Sequence, residues 1–156
     1  MSEVYSTAWL ETARDKIVAQ LNTLKTTMAS GYDPTFSYVY DYHNVAKLQL
    51  NAVSVAIDVV NPDTVSVGSS GLGVLYPMEF TLRVHTAYSG EIMDGVKNAR
   101  LLNSIINYLM EHKELGDGYR MFLITDITTN EEFAESATLG GECKVIVHQY
   151  SRHVQA

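Results

Sequence analysis

The chain has 156 residues, of which 46% are hydrophobic and 19% are charged, as is usual for one globular domain. This composition excludes a collagen-like or disordered polymer, and a single cysteine cannot form a disulfide within the chain. Eleven Lys and Arg against 18 Asp and Glu give a net charge of −7, which disfavours binding nucleic acid by phosphate neutralisation. The sequence has neither the basic start of a secretory signal nor a membrane-length apolar run, so we expect a soluble intracellular protein.

Apolar residues spaced three or four apart predict a first helix from about Glu3 to Ala29. Its apolar stripe consists of Trp9, Ala13, Ile17, Leu21, Leu24 and Met28. Gly31 follows where a helix end often needs a left-handed residue, and Pro34 prevents continuation. We therefore expect the helix to end near Ser30.

Alternating β-forming residues then predict three strands, over residues 36–42, 53–59 and 78–84. The first strand has an aromatic face, formed by Phe36, Tyr38, Tyr40 and Tyr42. Few basic residues lie nearby, so we expect this face to pack in the core or against a subunit rather than to stack on bases.

A stretch of Val, Ser and Gly, without a charged residue from Thr64 to Met78, joins the second and third predicted strands. It has the composition of a phosphate loop but not the order, and no helix follows whose amides would bind an anion. We expect a hairpin arm or a mobile loop at about residues 63–75, and the alternative is a segment that becomes ordered on a neighbouring subunit.

The second half begins with a predicted helix over residues 91–114, ended by the Gly-Asp-Gly of 116–118. Its apolar stripe consists of Ile92, Val96, Ala99, Leu102, Ile106 and Leu109, widened by Leu101, Ile105 and Tyr108. A stripe this broad predicts packing between the sheet and a further element. Strands follow over 119–127, apolar nearly throughout and hence expected to be central, and over 142–150, and the tail 151–156 has no core pattern.

This order of elements predicts one α+β domain spanning residues 1–156. We expect a mainly antiparallel or mixed sheet of about five strands, with two long helices packed on one face. Short connections favour hairpins between the first and second, second and third, and fourth and fifth strands.

No pattern for catalysis, metal binding or cofactor binding is present. Cys143 alternates with Val145 and Val147, which favours a core residue over a nucleophile. The histidines form no close pairs typical of zinc sites, although His43, His85 and His148 lie on separate predicted strands. We therefore predict a protein that is not an enzyme and that uses no metal and no cofactor.

The segment 126–135 is locally acidic, since it contains no Lys or Arg. Its acidic residues are Asp126, Glu131, Glu132 and Glu135. No apolar pocket is indicated that would separate their pKa values for acid–base work. The segment predicts a solvated acidic loop or, if several copies surround an axis, an acidic ring.

Taken together, the element order, the size and the missing active-site motif resemble the tail terminator or tail-completion proteins of long-tailed bacteriophages, and the related head-to-tail joining proteins. The resemblance is one of pattern and covers most of the chain. It includes the first helix, the glycine-rich arm 68–73, the strand 78–86 that runs into helix 91–114, and the closing strand 139–150.

This resemblance implies a structural protein of the virion tail or neck, assembled in the host cytoplasm. Such proteins form a hexameric ring that caps the tail tube, ends its polymerisation and joins it to the neck of the filled head. The implied partners are further copies of the chain, the major tail-tube protein, neck and head-completion proteins, and DNA that passes without sequence-specific binding. An acidic lining suits passage of DNA, because negative side chains repel the phosphates and so do not bind them.

Two sets of candidate residues come from the sequence pattern itself. For contacts with a neighbouring subunit or the tube, the candidates are Ser66, Gly68, Ser69, Ser70, Gly71 and Leu72. For the lining of the lumen, they are Asp126, Glu131, Glu132 and Glu135.

Two alternatives remain open. One is another neck component, such as an adaptor, a stopper or a minor tail protein. The other is a small-ligand enzyme or carrier with a pocket between helix 91–114 and the sheet, for which Arg83 and His85 are the candidate residues.

Overall fold

The computed structural model describes residues 8–28, 35–41, 50–60, 65–67, 73–133 and 138–151. These residues form two helices, α1 (Ala8–Met28) and α2 (Ile92–Glu111). They also form seven strands, β1 (Tyr38–Tyr40), β2 (Ala52–Val60), β3 (Val65–Val67), β4 (Gly73–Ala87), β5 (Glu114–Gly116), β6 (Tyr119–Phe133) and β7 (Thr138–Ser151). Within the described parts of the chain, no helix is both long and apolar enough to span a membrane.

The strands form one mixed sheet in the order β1-β2-β4-β7-β6-β5, with β3 paired to the start of β4. This confirms the α+β class, although the described residues form seven strands rather than about five. All pairs are antiparallel except β1 with β2, which run parallel. The predicted hairpin between these two strands is therefore wrong, because a hairpin joins antiparallel strands and a parallel pair needs a longer connection.

The core lies between the helices and one face of the sheet. On β4, the four side chains that point to this face are fully buried: Met78, Phe80, Leu82 and Val84. Their neighbours across the sheet are also buried, namely Val53 and Val55 on β2 and Cys143, Val145 and Val147 on β7. Each such apolar side chain contributes about 1.5–3 kcal/mol through its removal from water.

Helix α1 covers the core with the predicted stripe, and Ala13, Ile17, Leu21, Leu24 and Met28 are buried together with Leu10. It contacts strands at both edges of the sheet, β1 and β2 at one and β5 at the other. Arg14 lies 3.7 Å from Asp41, just after β1, and Lys16 Nζ donates to Asp117 Oδ2 at 2.9 Å, in the turn after β5. The sheet is therefore curled around α1.

Helix α2 begins and ends at identifiable hydrogen bonds. Asp94 Oδ2 accepts from the backbone N–H groups of Ser89 and Glu91, at 2.8 and 3.1 Å, and these bonds hold the pKa of Asp94 below its usual value. At the other end, the backbone N–H of His112 bonds to the carbonyls of Tyr108 and Leu109. The predicted end at residue 114 is wrong, since residues 114–116 form β5.

The Gly-Asp-Gly of residues 116–118 closes the hairpin between β5 and β6 rather than the helix. All three residues have positive φ, at 94°, 54° and 83°. Glycine adopts this conformation without steric cost and aspartate tolerates it better than most residues, so the same three residues suit a tight hairpin.

The apolar strand after this turn is not central, contrary to the prediction from its composition. Beyond β6 lies only β5, which pairs with residues 119 and 120, so the rest of β6 forms an edge among the described strands. Met121 points into the core, but Phe122, Leu123 and Ile127 are exposed. An apolar run cannot by itself distinguish a strand buried on both faces from an edge strand with an exposed apolar surface.

The first predicted strand is shortened to the three residues of β1. Phe36 precedes it and is buried in the core, whereas the Tyr38 side chain is 37% exposed and stacks on Tyr40 at a centroid distance of 6.5 Å. The predicted aromatic face is therefore divided between the core and the surface, and Tyr42 lies outside the described residues.

Candidate functional site

The predicted arm is a hairpin at its base. Ser66 in β3 pairs with Val74 in β4, between the flanking pairs 65–75 and 67–73. The other five candidate residues of the arm, at positions 68–72, lie outside the described residues. Ser151, the first residue of the predicted tail, ends β7 beside Val74, and residues 152–156 lie outside the described residues as well.

The acidic segment belongs to strand β6 up to residue 133, so the prediction of a loop is wrong for this part. Asp126 is exposed and has a φ of 53° at an irregularity of the strand, where Thr125 Oγ1 donates to its carboxylate at 3.2 Å. Glu132 is exposed and accepts a hydrogen bond from the Tyr88 hydroxyl, which raises the pKa of that tyrosine. The backbone of Glu131 pairs with Gly140, and Glu135 lies outside the described residues.

The arm lies at the opposite end of the sheet from Glu131 and Glu132, whereas Asp126 lies near the middle of β6, between the residues that pair with Lys144 and Glu142. Strands β4 and β7 pair from Val74 with Ser151, beside the arm, to Ala87 with Thr138, beside the acidic end of β6. Thirteen residues of extended strand separate the two ends by about 43 Å. The arm therefore cannot contact the same small partner as Glu131 and Glu132.

The acidic end of β6 is attached to α2 by Asn98, which is fully buried. Asn98 Nδ2 donates to Thr86 Oγ1 at 3.0 Å and to the Leu139 carbonyl at 3.1 Å. Asn98 Oδ1 accepts from the backbone N–H of Asn130 at 3.2 Å. One side chain thus connects the end of β4, the start of β7 and an irregular stretch of β6.

A first exposed apolar surface lies on the N-terminal half of α2. The side chains of Ile92, Met93 and Val96 are 91%, 45% and 37% exposed. The predicted stripe is wrong at Ile92 and Val96, because the buried face of the helix is centred on other residues. Those are Asn98, Leu101, Leu102, Ile105 and Leu109. We call Ile92, Met93 and Val96, with the exposed Lys97 and Arg100 beside them, the α2 patch.

A second exposed apolar surface lies on the open edge of β6, where Phe122, Leu123 and Ile127 are 57%, 40% and 53% exposed. With Asp126 they form what we call the β6 patch. Neither patch was predicted from the sequence as an exposed surface. The only sign of them in the sequence is that α2 and β6 each contain more apolar residues than one buried face of the element needs.

The face of the sheet that points away from the helices carries polar pairs. Arg83 Nε donates to Glu142 Oε2 at 2.7 Å, and Ser54 Oγ lies 3.0 Å from Nε2 of the buried His85. Arg83 and His85 therefore do not face a pocket between α2 and the sheet, as the small-ligand alternative requires. The predicted location of that pocket is wrong.

His85 and His148 do not converge, and His43 lies outside the described residues. His85 pairs with Gly140 in the β4–β7 ladder, while His148 lies eight residues farther along β7 and stacks on Phe122 at a centroid distance of 4.5 Å. Burial lowers the pKa of His148. Across the described ranges, no three His, Cys, Asp or Glu side chains come together as metal ligands.

An open cleft of 480 Å³ lies at the C-terminal end of α2. It is lined by Gln20, Met110, Glu111, His112, Lys113, Glu114 and Arg120. Arg120 is already paired with Glu114 at 2.6 Å, and both side chains are largely exposed to solvent. The cleft contains none of the candidate residues from the sequence.

Cys143 is fully buried, as predicted for a core residue. Burial, with a smaller effect from the neighbouring Glu142 carboxylate, raises the pKa of the thiol to about 12. At pH 8 only about one thiol in 10⁴ is then ionised, and the thiolate is the reactive form.

We therefore expect the native protein to resist alkylation by iodoacetamide at pH 8, while the protein in concentrated urea reacts fully. Mass spectrometry of the two samples after equal times measures the difference. Stoichiometric labelling of the native protein within minutes would contradict the buried position of Cys143.

No protein-family model and no curated protein matches this chain. A solved structure, the sheath/tube terminator of the extracellular contractile injection system PVC in its extended state, is similar over 89% of this chain, with a TM-score of 0.33 and 10% sequence identity. This chain spans 59% of the length of that terminator. At this level of similarity, the function has to be inferred from the surface of the chain itself.

Proposed function

We propose that this protein is a tail-terminator-like structural subunit that assembles with copies of itself into a ring, hexameric by analogy with the group it resembles. The ring caps a tail tube and ends its polymerisation. The observation that carries the proposal is the pair of exposed apolar patches on α2 and β6.

Exposure on this scale favours association over a solitary monomer. Six large apolar side chains, each between 37% and 91% exposed, lie on two elements whose other faces are well packed. Exposed apolar patches of soluble proteins commonly mark sites of protein–protein contact. Two different patches allow head-to-tail contacts, and such contacts close into a ring when the rotation between copies permits.

The arm and the acidic strand then take different positions in the ring. We assign the arm, including Ser66 and residues 68–72, to contacts with the tube or a neighbouring subunit. We assign the acidic end of the β6–β7 hairpin, with Glu131, Glu132 and Glu135, to the lumen through which DNA passes. Asp126 lies about 14 Å from Glu132, measured along the partner strand β7, so we assign it to a surface separate from this end of the hairpin.

The first expected result is a ring of the purified protein. Mass photometry and negative-stain imaging at micromolar concentration should show particles of one multiple of the subunit mass with a central hole. A strict monomer, both alone and in the presence of the tube protein, would contradict the proposal.

A ring-forming adaptor or stopper of the neck would give the same particles. An assembly experiment with the tube protein therefore distinguishes a terminator from these other neck components. Tubes polymerised with the ring present should be shorter and should carry it at one end. Unchanged tube lengths with no bound ring would favour an adaptor or stopper over a terminator.

A further inference from the structure

The α2 patch combines apolar surface with positive charge. Lys97 and Arg100 are exposed beside Val96, and neither forms an ion pair with an acidic side chain of the described residues. By contrast, Arg14, Arg83 and Arg120 all do. Lys97 lies close enough to Asp94, one turn earlier in α2, to interact electrostatically with its carboxylate. The α2 patch therefore carries two exposed positive charges, and that of Arg100 meets no acidic side chain in the described ion pairs.

The β6 patch combines apolar surface with negative charge. Asp126 lies in the same strand as Leu123 and Ile127, and its carboxylate meets no positive side chain in the described ion pairs. The patch follows the open edge of the sheet, where a partner strand is one possible ligand.

The backbone of this edge disfavours a partner strand. The pairing of β6 with β7 shifts register three times, between Met121 and Leu123, between Thr125 and Thr128, and between Thr128 and Glu131. Asp126 and Asn130 have positive φ within the same stretch. Such irregularities interrupt the regular row of N–H and C=O groups that strand addition needs. The edge therefore suits packing of side chains.

We infer that the α2 patch of one copy packs on the β6 patch of the next copy, with Ile92, Met93 and Val96 against Leu123 and Ile127, and with Lys97 and Arg100 facing Asp126. The inference rests on the proposed ring and names its subunit interface. Charge complementarity selects this arrangement. A contact of α2 with α2 brings positive charges together, and a contact of β6 with β6 brings Asp126 against its own copy.

Charge reversal tests the interface. The double variant Lys97→Glu/Arg100→Glu and the variant Asp126→Lys each place like charges across the contact. Each should raise the protein concentration at half-assembly by about tenfold or more, measured by mass photometry at low ionic strength. An equimolar mixture of the two variants should recover assembly, because every interface in an alternating ring again joins opposite charges.

Matched controls change charge elsewhere on the surface. Lys25→Glu/Lys113→Glu alters the net charge as much as the α2 double variant, and Glu111→Lys as much as Asp126→Lys. Both should assemble as the unmodified protein does, and circular dichroism with thermal unfolding should confirm that every variant is folded.

The outcomes separate the two proposals. If the unmodified protein forms no ring, the proposed function fails. If it forms a ring and the charge-reversed variants assemble equally well, or if the mixture of folded variants stays dissociated, the proposed interface is wrong while the ring stands. The contact between the α2 and β6 patches is supported if each variant by itself fails to assemble and the mixture of the two assembles.

Discussion

Replacing Gly141 with alanine is expected to lower the free energy of unfolding by about 2–3 kcal/mol, although it adds only one methyl group. A Cβ at this position would lie 2.8 Å from Val84 Cγ2, 3.0 Å from Asn98 Oδ1 and 3.2 Å from Leu102 Cδ2. Helix α2 approaches β7 this closely only because residue 141 has no side chain. Urea unfolding of Gly141→Ala beside the unmodified protein measures the loss.

A double-mutant cycle shows whether steric overlap is the cause. Val84→Ala removes the atom closest to the new Cβ, so the double variant should lose about 1 kcal/mol less than the sum of the two single losses. Exact additivity would mean that Val84 and the new methyl group do not meet, and would contradict the packing described.

The Asn98→Ala variant is expected to lose about 3 kcal/mol of unfolding free energy. The substitution removes two donated hydrogen bonds and one accepted bond from a fully buried position. It leaves the Leu139 carbonyl and the Thr86 hydroxyl oxygen, both in buried residues, without this donor, and each such buried group costs about 1–3 kcal/mol. Urea unfolding gives the total loss.

Two companion variants make this result specific to the hydrogen bonds. Asn98→Asp has nearly the same shape and still accepts from Asn130, but its ionised carboxylate faces the Leu139 carbonyl, so it should be at least as unstable as Asn98→Ala. Asn103→Ala, on the exposed side of the same helix, should stay within about 0.5 kcal/mol of the unmodified protein.

Loss of the Asn98 hydrogen bonds should also make local opening at the acidic end of β6 more frequent. Amide hydrogen exchange at Asn130 should become faster in Asn98→Ala while exchange at Val145, in the centre of the sheet, changes little under native conditions. Equal acceleration at both amides would mean that Asn98 acts on global stability without holding this end of β6 in place.

Local spacing was sufficient to predict the helices and the buried side of most strands. All residues of the first predicted stripe whose side chains are described are buried in α1, while the Trp9 side chain is outside that description, and Cys143, Val145 and Val147 line the core as their alternation predicted. Prediction was weaker where apolar residues lie both on the buried face of an element and on its exposed face. Ile92 and Val96 fit the helical period of α2, but the sheet buries a face centred on Asn98 and Leu102 instead.

The candidate site was predictable only in part. The charge-free stretch between two strands indicated either a hairpin arm or a mobile loop, because glycine and serine interrupt two runs of β-forming residues. Its described ends, residues 65–67 and 73–75, pair as a hairpin. The acidic residues were recognisable as a group, but their position on an edge strand was not. The α2 and β6 patches left only an excess of apolar residues as a signal, which does not say which of them are exposed, since an exposed isoleucine and a buried one look alike in a sequence.

The amino-acid order by itself determined which side chains share a face of a helix or strand, because that depends on periods of 3.6 and 2 residues within one element. The tertiary structure alone decided which faces are covered. It placed β6 at an edge, ran β1 parallel to β2, and brought Gly141 against α2. These features depend on pairings between distant segments, and no local pattern records which segment becomes the neighbour of another.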